Sequence, residues 1–275
     1  MAVRNTPLCK AFRIDSGTRV VALVGAGGKT SLMYSLAGEM VSLDRRVVTT
    51  TTTKIFPPGP DQSPALVILS EDLSLANLSA GLSLHKHVTL GSSLLKVGKV
   101  DGVSEETIYD GLRYADSILV EADGAAGRSV KAPEKWEPVI PGAADLVIPV
   151  VGLDCIGARA TEDLVFRLER FLAVTGLKSG ETISPESIGL LLGHPEGGIR
   201  GVPEGSRVVP FLNKVDLLSS RWDVQELVAA MFRRAGDRIR RIVVGKLKRG
   251  VEAMAYGAGE TCAECLTSQD HDLDA

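Results

Sequence analysis

A lysine and a threonine placed directly after a run of glycines are residue types that hold phosphate. This chain carries them as Gly25-Ala26-Gly27-Gly28-Lys29-Thr30-Ser31. Glycines let backbone N–H groups turn inward and approach an anion closely. A helix starting here adds unsatisfied N–H groups and the positive end of its dipole. In such a loop Lys29 reaches the terminal phosphates and the Thr30 hydroxyl ligates magnesium. The spacing is compressed, because G-x-x-x-x-G-K-[ST] requires glycine at position 23 and the chain has Leu23 there. The loop reads G-x-x-G-K-T instead. A dinucleotide pattern, G-x-G-x-x-G, also fails, since its third glycine falls on Thr30.

Three further stretches carry matching chemistry. The apolar run Ser117 to Val120 ends in Glu121-Ala122-Asp123-Gly124. Acids at a strand end complete a phosphate loop: one carboxylate holds magnesium, directly or through water, and another polarises a water or nucleophile. Glu121 and Asp123 are two apart and share a strand face, and the pattern does not divide the roles between them. The string Thr49 to Thr53 with Lys54 leaves a second strand, and its hydroxyls and ammonium can meet magnesium or the γ-phosphate. Catalytic expectations therefore fall on Lys29, Lys54, Glu121 and Asp123. Metal ligation falls on Thr30, Thr52, Glu121 and Asp123. Asn213-Lys214-Val215-Asp216 matches N-K-x-D, in which the Asp carboxylate accepts from the guanine N1–H and exocyclic amine while Asn and Lys brace the neighbouring loops. Arg128 and Lys131 either neutralise charge on a transferred phosphoryl group or are ordinary loop charges, and chain position does not decide. His194, in a Gly/Pro-rich loop, reads as a surface residue.

The elements that must position these groups alternate. Val20 to Val24 predicts a buried strand. Leu32, Met33, Leu36, Ala37 and Met40 predict the apolar face of a helix. Strands follow at Val47 to Thr50, Leu66 to Leu69, His87 to Leu90, Ser117 to Val120, Asp145 to Val151, Val208 to Leu212 and Arg240 to Val244. Helices are expected from about Glu71, from Ser104, from Thr161-Glu162-Asp163, from Ser184-Pro185 and from Asp223. The alternation predicts a three-layer α/β fold of the P-loop NTPase type, with a mostly parallel sheet and a small helical insertion at about 158–205. Residues 1–257 read as one domain, with 1–18 as its short lead-in, and 258–275 as a polar, disordered tail. Gly245-Lys246-Leu247 sits where a second base-contacting loop would lie.

Composition narrows the function classes. The chain has 275 residues, 44% of them hydrophobic, and a net charge of −3. That balance gives no field for nucleic acid. No apolar run reaches membrane-spanning length and the N-terminus lacks an apolar signal core, so a cytoplasmic protein is expected. Four cysteines are too few for a disulfide scaffold, and Cys262-x-x-Cys265 is half a zinc site.

Taken together, VVALVGAGGKTS (Val20 to Ser31), RVVTTTTTKIFPP (Arg46 to Pro58), ILVEADGAAGRSVKAP (Ile118 to Pro133), EPVIP (Glu137 to Pro141), VVGLDCIG (Val150 to Gly157) and FLNKVD (Phe211 to Asp216) resemble the YqeC family. The resemblance implies a P-loop NTPase fold and a role in maturing a selenium-dependent molybdenum hydroxylase or its cofactor. It also implies such a hydroxylase, or a cofactor-carrying protein, as partner. The expected ligands are ATP or GTP with Mg2+. Three activities fit: hydrolysis or phosphoryl transfer, a nucleotide-switched assembly chaperone with little turnover, or a ligase that activates a carboxylate. The last is suggested by the loop spacing, which is similar to that of Mur-type ATP-dependent ligases.

Overall fold

The computed structural model describes residues 6–69, 75–248 and 251–258. The first half of the chain forms α1 (Leu8–Ala11), β1 (Val20–Gly25), α2 (Lys29–Ser42), β2 (Val47–Thr51), β3 (Lys54–Ile55), β4 (Leu66–Ile68), α3 (Ala76–His85), β5 (His87–Gly91), β6 (Val100–Asp101), α4 (Glu105–Gly111) and β7 (Ser117–Glu121). The second half forms β8 (Val130–Lys131), β9 (Leu146–Gly152), β10 (Val165–Phe166), α5 (Leu168–Thr175), α6 (Pro185–Gly193), β11 (Arg207–Val208), β12 (Phe211–Asn213), α7 (Val224–Ala235), β13 (Arg241–Lys246) and β14 (Glu252–Gly257).

Ten strands make one sheet in the order β14-β13-β12-β9-β1-β7-β2-β5-β4, with β11 also on β9. Every pairing is parallel except the β13–β14 edge. Parallel strands need both faces covered, which is why β1, β2, β5, β7 and β9 are apolar or Thr-rich throughout and buried. Alternate side chains of β1 serve opposite layers. Val21 and Leu23 pack with α1 and α2, through Leu8, Phe12, Leu32, Met33, Leu36 and Met40. Val20, Ala22 and Val24 pack with Leu78, Leu82 and Ile108 of α3 and α4. Over β9, β12 and β13, residues of α5, α6 and α7 cover Val151, Leu212 and Val244. The result is a three-layer α/β fold with β1, the strand that leads into the glycine loop, at the centre of a mostly parallel sheet.

Caps fall where short polar side chains stand. Ser104 accepts from Thr107 N, Ser184 and Ser187 form a reciprocal capping box, and Asp223 accepts from Gln225 N and Glu226 N. In the 158–205 segment, α6 lies against α7 so closely that a Cβ on Gly193 would stand 1.9 Å from the Ala235 carbonyl.

Several elements differ from the sequence expectations. The helix expected from Thr161 begins at Leu168. Val165 and Phe166 instead pair with Val130 and Lys131, and Arg167 adopts a left-handed backbone (φ 65°) before the helix starts. Cross-strand pairing and the ion pairs of Arg167 thus override a helical period. The run Val208 to Leu212 is divided at Pro210, whose missing N–H interrupts the ladder. The lead-in is not a loose arm, because Leu8, Cys9, Ala11 and Phe12 are buried in the core. The edge strand β14 and the small β3–β6 pair carried no signal that separated them from loops. Glu71, Cys262 and Cys265 lie outside the described residues.

Candidate functional site

β1 ends at Gly25 and the chain turns sharply into α2. Gly25, Gly27 and Gly28 have φ of 88°, 94° and 132°, a region that favours glycine. Space makes the same demand: a Cβ on Gly27 would lie 2.3 Å from Gly152 N. The loop is tied from beneath. Ala26 N donates to the Val150 carbonyl (2.9 Å), and Gly25 N donates to Asp123 Oδ2 (3.0 Å). Asn213 Nδ2 donates to the Gly27 carbonyl (2.7 Å). No backbone acceptor among the described residues takes the N–H groups of Gly27, Gly28, Lys29 or Thr30. Held open beside the positive end of a 14-residue helix, they form an anion cradle.

The two acids at the end of β7 both approach Lys29 but meet different surroundings. Glu121 Oε2 accepts from Thr30 Oγ1 at 2.6 Å, and its Oε1 is 3.7 Å from Lys29 Nζ. Burial pushes the Glu121 carboxyl above the usual range, outweighing the lowering effects of Lys29 and Thr30. Asp123 is enclosed. Its Oδ1 lies 3.1 Å from Lys29 Nζ, an ion pair without hydrogen-bond alignment, and its Oδ2 lies 3.0 Å from Lys131 Nζ. Lys131 also donates to the Gly124 carbonyl (2.6 Å) and pairs with Glu137 (2.9 Å). Glu137 accepts further from Arg167. Burial raises the Glu137 carboxyl, but Lys131 and Arg167 together hold it below the usual range. Lys131 is thus a sealed structural cation and does not reach the cleft. Lys29 Nζ donates to the Gly25 carbonyl (2.6 Å), folded back over its own loop.

A cleft of about 650 Å3 opens above the loop, across the C-terminal ends of the parallel strands. Gly27, Gly28, Lys29, Thr30, Ser31 and Glu121 form its middle. Gly25 and Ala26 lie below and do not line it. On one side stand Asn213, Lys214, Asp216, Leu217, Leu247 and Lys248, the ends of β12 and β13. On the other stand Lys54, Ile55, Phe56 and Lys99, and Gly124 to Arg128 cross between. Six basic residues line the cleft against two acidic ones, in a chain whose net charge is −3. The lining therefore concentrates positive charge that the surface as a whole does not carry.

Other expected residues are held by contacts of their own. Thr49, Thr50 and Thr51 are buried and satisfy the sheet: Thr50 Oγ1 donates to the Leu90 carbonyl and Thr51 Oγ1 to the Glu121 carbonyl. Thr52 Oγ1 donates to the Val139 carbonyl at 2.7 Å, and Thr52 does not line the cleft. Lys214, also in a left-handed backbone, reaches Ser129 Oγ (2.8 Å) and Asp154 Oδ2 (2.9 Å). His194 closes α6 away from the cleft. Sequence reasoning missed Phe56, Lys99 and Asp154. Asp154 follows the end of β9 as Glu121 closes β7, a signal already in the chain. Lys99 had none, because β3–β6 pairing alone brings it beside Phe56.

Two oxygen donors already in contact, Thr30 Oγ1 and Glu121 Oε2, suit magnesium, which takes one or two protein oxygens and completes its shell from phosphates and water. No cluster of three or more His, Cys, Asp or Glu residues able to hold a metal occurs among the described residues. No helix among them is long and apolar enough to cross a membrane.

Comparison with known proteins follows the same stretches. A family model described as YqeC protein matches residues 21–169. A protein of Escherichia coli (strain K12), described as "Uncharacterized protein YqeC", is 37% identical over 214 residues, covering 74% of this chain and 80% of its own. Among solved structures, the chain is similar to hydrogenase maturation factor HypB from Archaeoglobus fulgidus, with 16% identity, 88% of each chain covered and a TM-score of 0.36. It is also similar to FlhF in its complex with GMPPNP and Mg2+, with 12% identity over 91% of this chain and 75% of that one and a TM-score of 0.41. By the family match and the identity across most of its length, this chain belongs to the YqeC family.

Proposed function

We propose that the cleft binds a magnesium nucleoside triphosphate with a preference for GTP over ATP, and hydrolyses it in the maturation of a selenium-dependent molybdenum hydroxylase or its cofactor. The observation that carries the nucleotide is the juxtaposition of Lys29, Thr30 and Glu121 under a cleft lined by an excess of cations. The free N–H groups of the loop receive the β- and γ-phosphates. Lys29 leaves the Gly25 carbonyl to meet them, while Asp123 keeps Lys131 as its counter-ion. Thr30 and Glu121 hold the magnesium, which neutralises charge on the phosphates. Asp123, enclosed by two ammonium groups, positions Lys29. Lys54 faces the terminal phosphate.

Base preference rests on Asp216, which stands exposed in the cleft while Asn213 braces the loop through Gly27. A carboxylate there accepts from the guanine N1–H and amine and leaves adenine unpaired. The maturation role is what family membership and the matching stretches support, and co-purification of a molybdenum hydroxylase with the nucleotide-loaded protein is its readout. Calorimetric titration with ATP and GTP in the presence of Mg2+ tests the base. GTP is expected to bind about tenfold more tightly, and Asp216→Ala to erase the difference. Equal binding by the unaltered protein, or tighter binding of ATP, overturns the guanine assignment.

A further inference from the structure

The two sides of the cleft are built for different partners. Sheet order places β1 and β7, with Lys29, Thr30 and Glu121, between β9 on one hand and β2 on the other. A base at Asp216 occupies the β12–β13 side. The terminal phosphate then points toward the β2 side, where Lys54, Phe56 and Lys99 stand. That side carries more positive charge than a terminal phosphate uses. Lys54 and Arg128 make no side-chain hydrogen bond or ion pair among the described residues, and Lys99 Nζ rests only over the Phe56 ring, 4.8 Å from its centroid. Uncompensated cations gathered in one cleft repel each other and lower their energy when an anion enters.

The same side presents an unusual surface for solvent. Phe56 is 68% exposed and follows the buried Ile55 into Pro57-Pro58, so the ring is displayed on a stiff connection. Lys54 and Ile55 pair antiparallel with Asp101 and Val100, which fixes Lys99 opposite Phe56. Gly102 packs so tightly on this pair that a Cβ there would lie 2.5 Å from the Thr52 carbonyl carbon. The platform is thus preorganised. An aromatic ring with an ammonium group over it, in a cleft that Lys54 and Arg128 also line, matches a small organic anion better than it matches water.

We propose that the β2 side of the cleft seats a second substrate, a small organic anion bearing a carboxylate or phosphate group, beside the terminal phosphate of the nucleotide. Lys54, Lys99 and Arg128 meet its charge and Phe56 its body. The proposal rests on the reading of the cleft as a nucleoside triphosphate site, and it separates hydrolysis into water from use of the nucleotide on a bound small molecule.

Pyridoxal 5′-phosphate is a suitable probe, as an aromatic phosphate whose aldehyde condenses with lysine amines to an imine and water, trapped by borohydride as a secondary amine. Lys96 is the internal control, since it is exposed in the turn that leads into β6, three residues before Lys99, and does not line the cleft. Peptide mapping of the full chain, with and without a non-hydrolysable GTP analogue and Mg2+, should show Lys99 modified about tenfold faster than Lys96 in both states. Arg128→Ala should bring the two rates together. Citrate or inorganic phosphate should shield Lys99, and whichever acts at lower concentration identifies the carboxylate or phosphate class. Equal labelling of Lys99 and Lys96, or no shielding by either anion, overturns the seat. Complete shielding of Lys54 and Lys99 by the nucleotide analogue overturns it as well, because the nucleotide then fills both sides. Failure of the nucleotide reading is seen separately, as Lys214 labelling that the analogue does not change.

Discussion

Glu121 and Asp123 stand two residues apart at the end of one strand and both approach Lys29, yet they belong to two different regions. Glu121 opens onto the cleft with Thr30 as its partner. Asp123 heads a sealed chain of charges that runs through Lys131 to Glu137 and Arg167. In the cleft, cations outnumber anions and several have no partner. In the sealed chain every charge has a counter-charge, with Asp123 and Lys131 fully enclosed and only the Glu137–Arg167 end partly open to water. The difference separates charges that face an open cleft from charges that are held for the fold. An unpaired charge is tolerated only where water or a ligand can reach it, whereas a buried one must be matched.

The sharpest way to break this contrast is Lys29→Ala. Nucleotide hydrolysis should fall by more than about 100-fold with little change in the melting temperature, since Asp123 retains Lys131. Phosphate release together with a thermal melt decides it, and unchanged release would remove Lys29 from the chemistry.

Lys131→Met should do the reverse. Removing a cation whose side chain is 0% exposed leaves Asp123 with Lys29 alone and Glu137 with the partly exposed Arg167 alone, and the expected loss is about 3–5 kcal/mol of stability in chemical denaturation. A loss of activity with unchanged stability would instead place Lys131 in the chemistry.

His87 offers a third case, a buried group with no counter-charge. It shares a hydrogen bond with Thr49 Oγ1 (3.1 Å), and burial lowers its pKa from 6.5 to about 4. The folded value lies below the unfolded one. The neutral ring therefore contributes its full stability above pH 6.5, and that contribution is lost as the pH falls toward about 4. The loss should reach about 3 kcal/mol at most. Urea melts across this range, with His87→Gln as the control that flattens the slope, measure it.

The smallest effect belongs to Glu121. Because its carboxyl is raised by burial, acidification should protonate it above the usual carboxylate range and weaken magnesium-dependent nucleotide binding. Unligated, the same shift makes its contribution to stability fall as pH rises through the folded value. A Mg2+ titration of nucleotide affinity at about pH 8 and about pH 5.5 should show a several-fold loss that Glu121→Gln abolishes. A pH-independent affinity in the unaltered protein would remove Glu121 from the metal site.

The strands with continuous apolar runs, the loop and the apolar face of α2 were legible in the chain because each depends on neighbours a few residues away. Three of the helix starts were legible for the same reason, since Ser104, Ser184 and Asp223 cap through their own next turn. Val165 and Phe166 were misread because their partners, Val130 and Lys131, are some thirty-five residues distant and carry no local mark. The Thr run was partly misleading: Thr49 to Thr51 look like ligands but serve buried strand contacts. Arg128 and Lys131, an even choice on chain position, were separated by burial, with one at the cleft and the other sealed.

What the chain by itself determined is the chemistry available: a glycine turn that only glycine backbones can make, a Lys-Thr pair at a helix start, and acids at the end of a buried strand. These are local consequences of backbone sterics and of alternation along a strand. What only the tertiary structure decided is which of those groups meet. Sheet order set Glu121 beside Thr30, brought Asn213 under the loop and turned Lys131 inward. It also carried Phe56 and Lys99 to the far side of the cleft. The physical reason is that desolvation and charge pairing act through space, at distances that sequence separation does not encode.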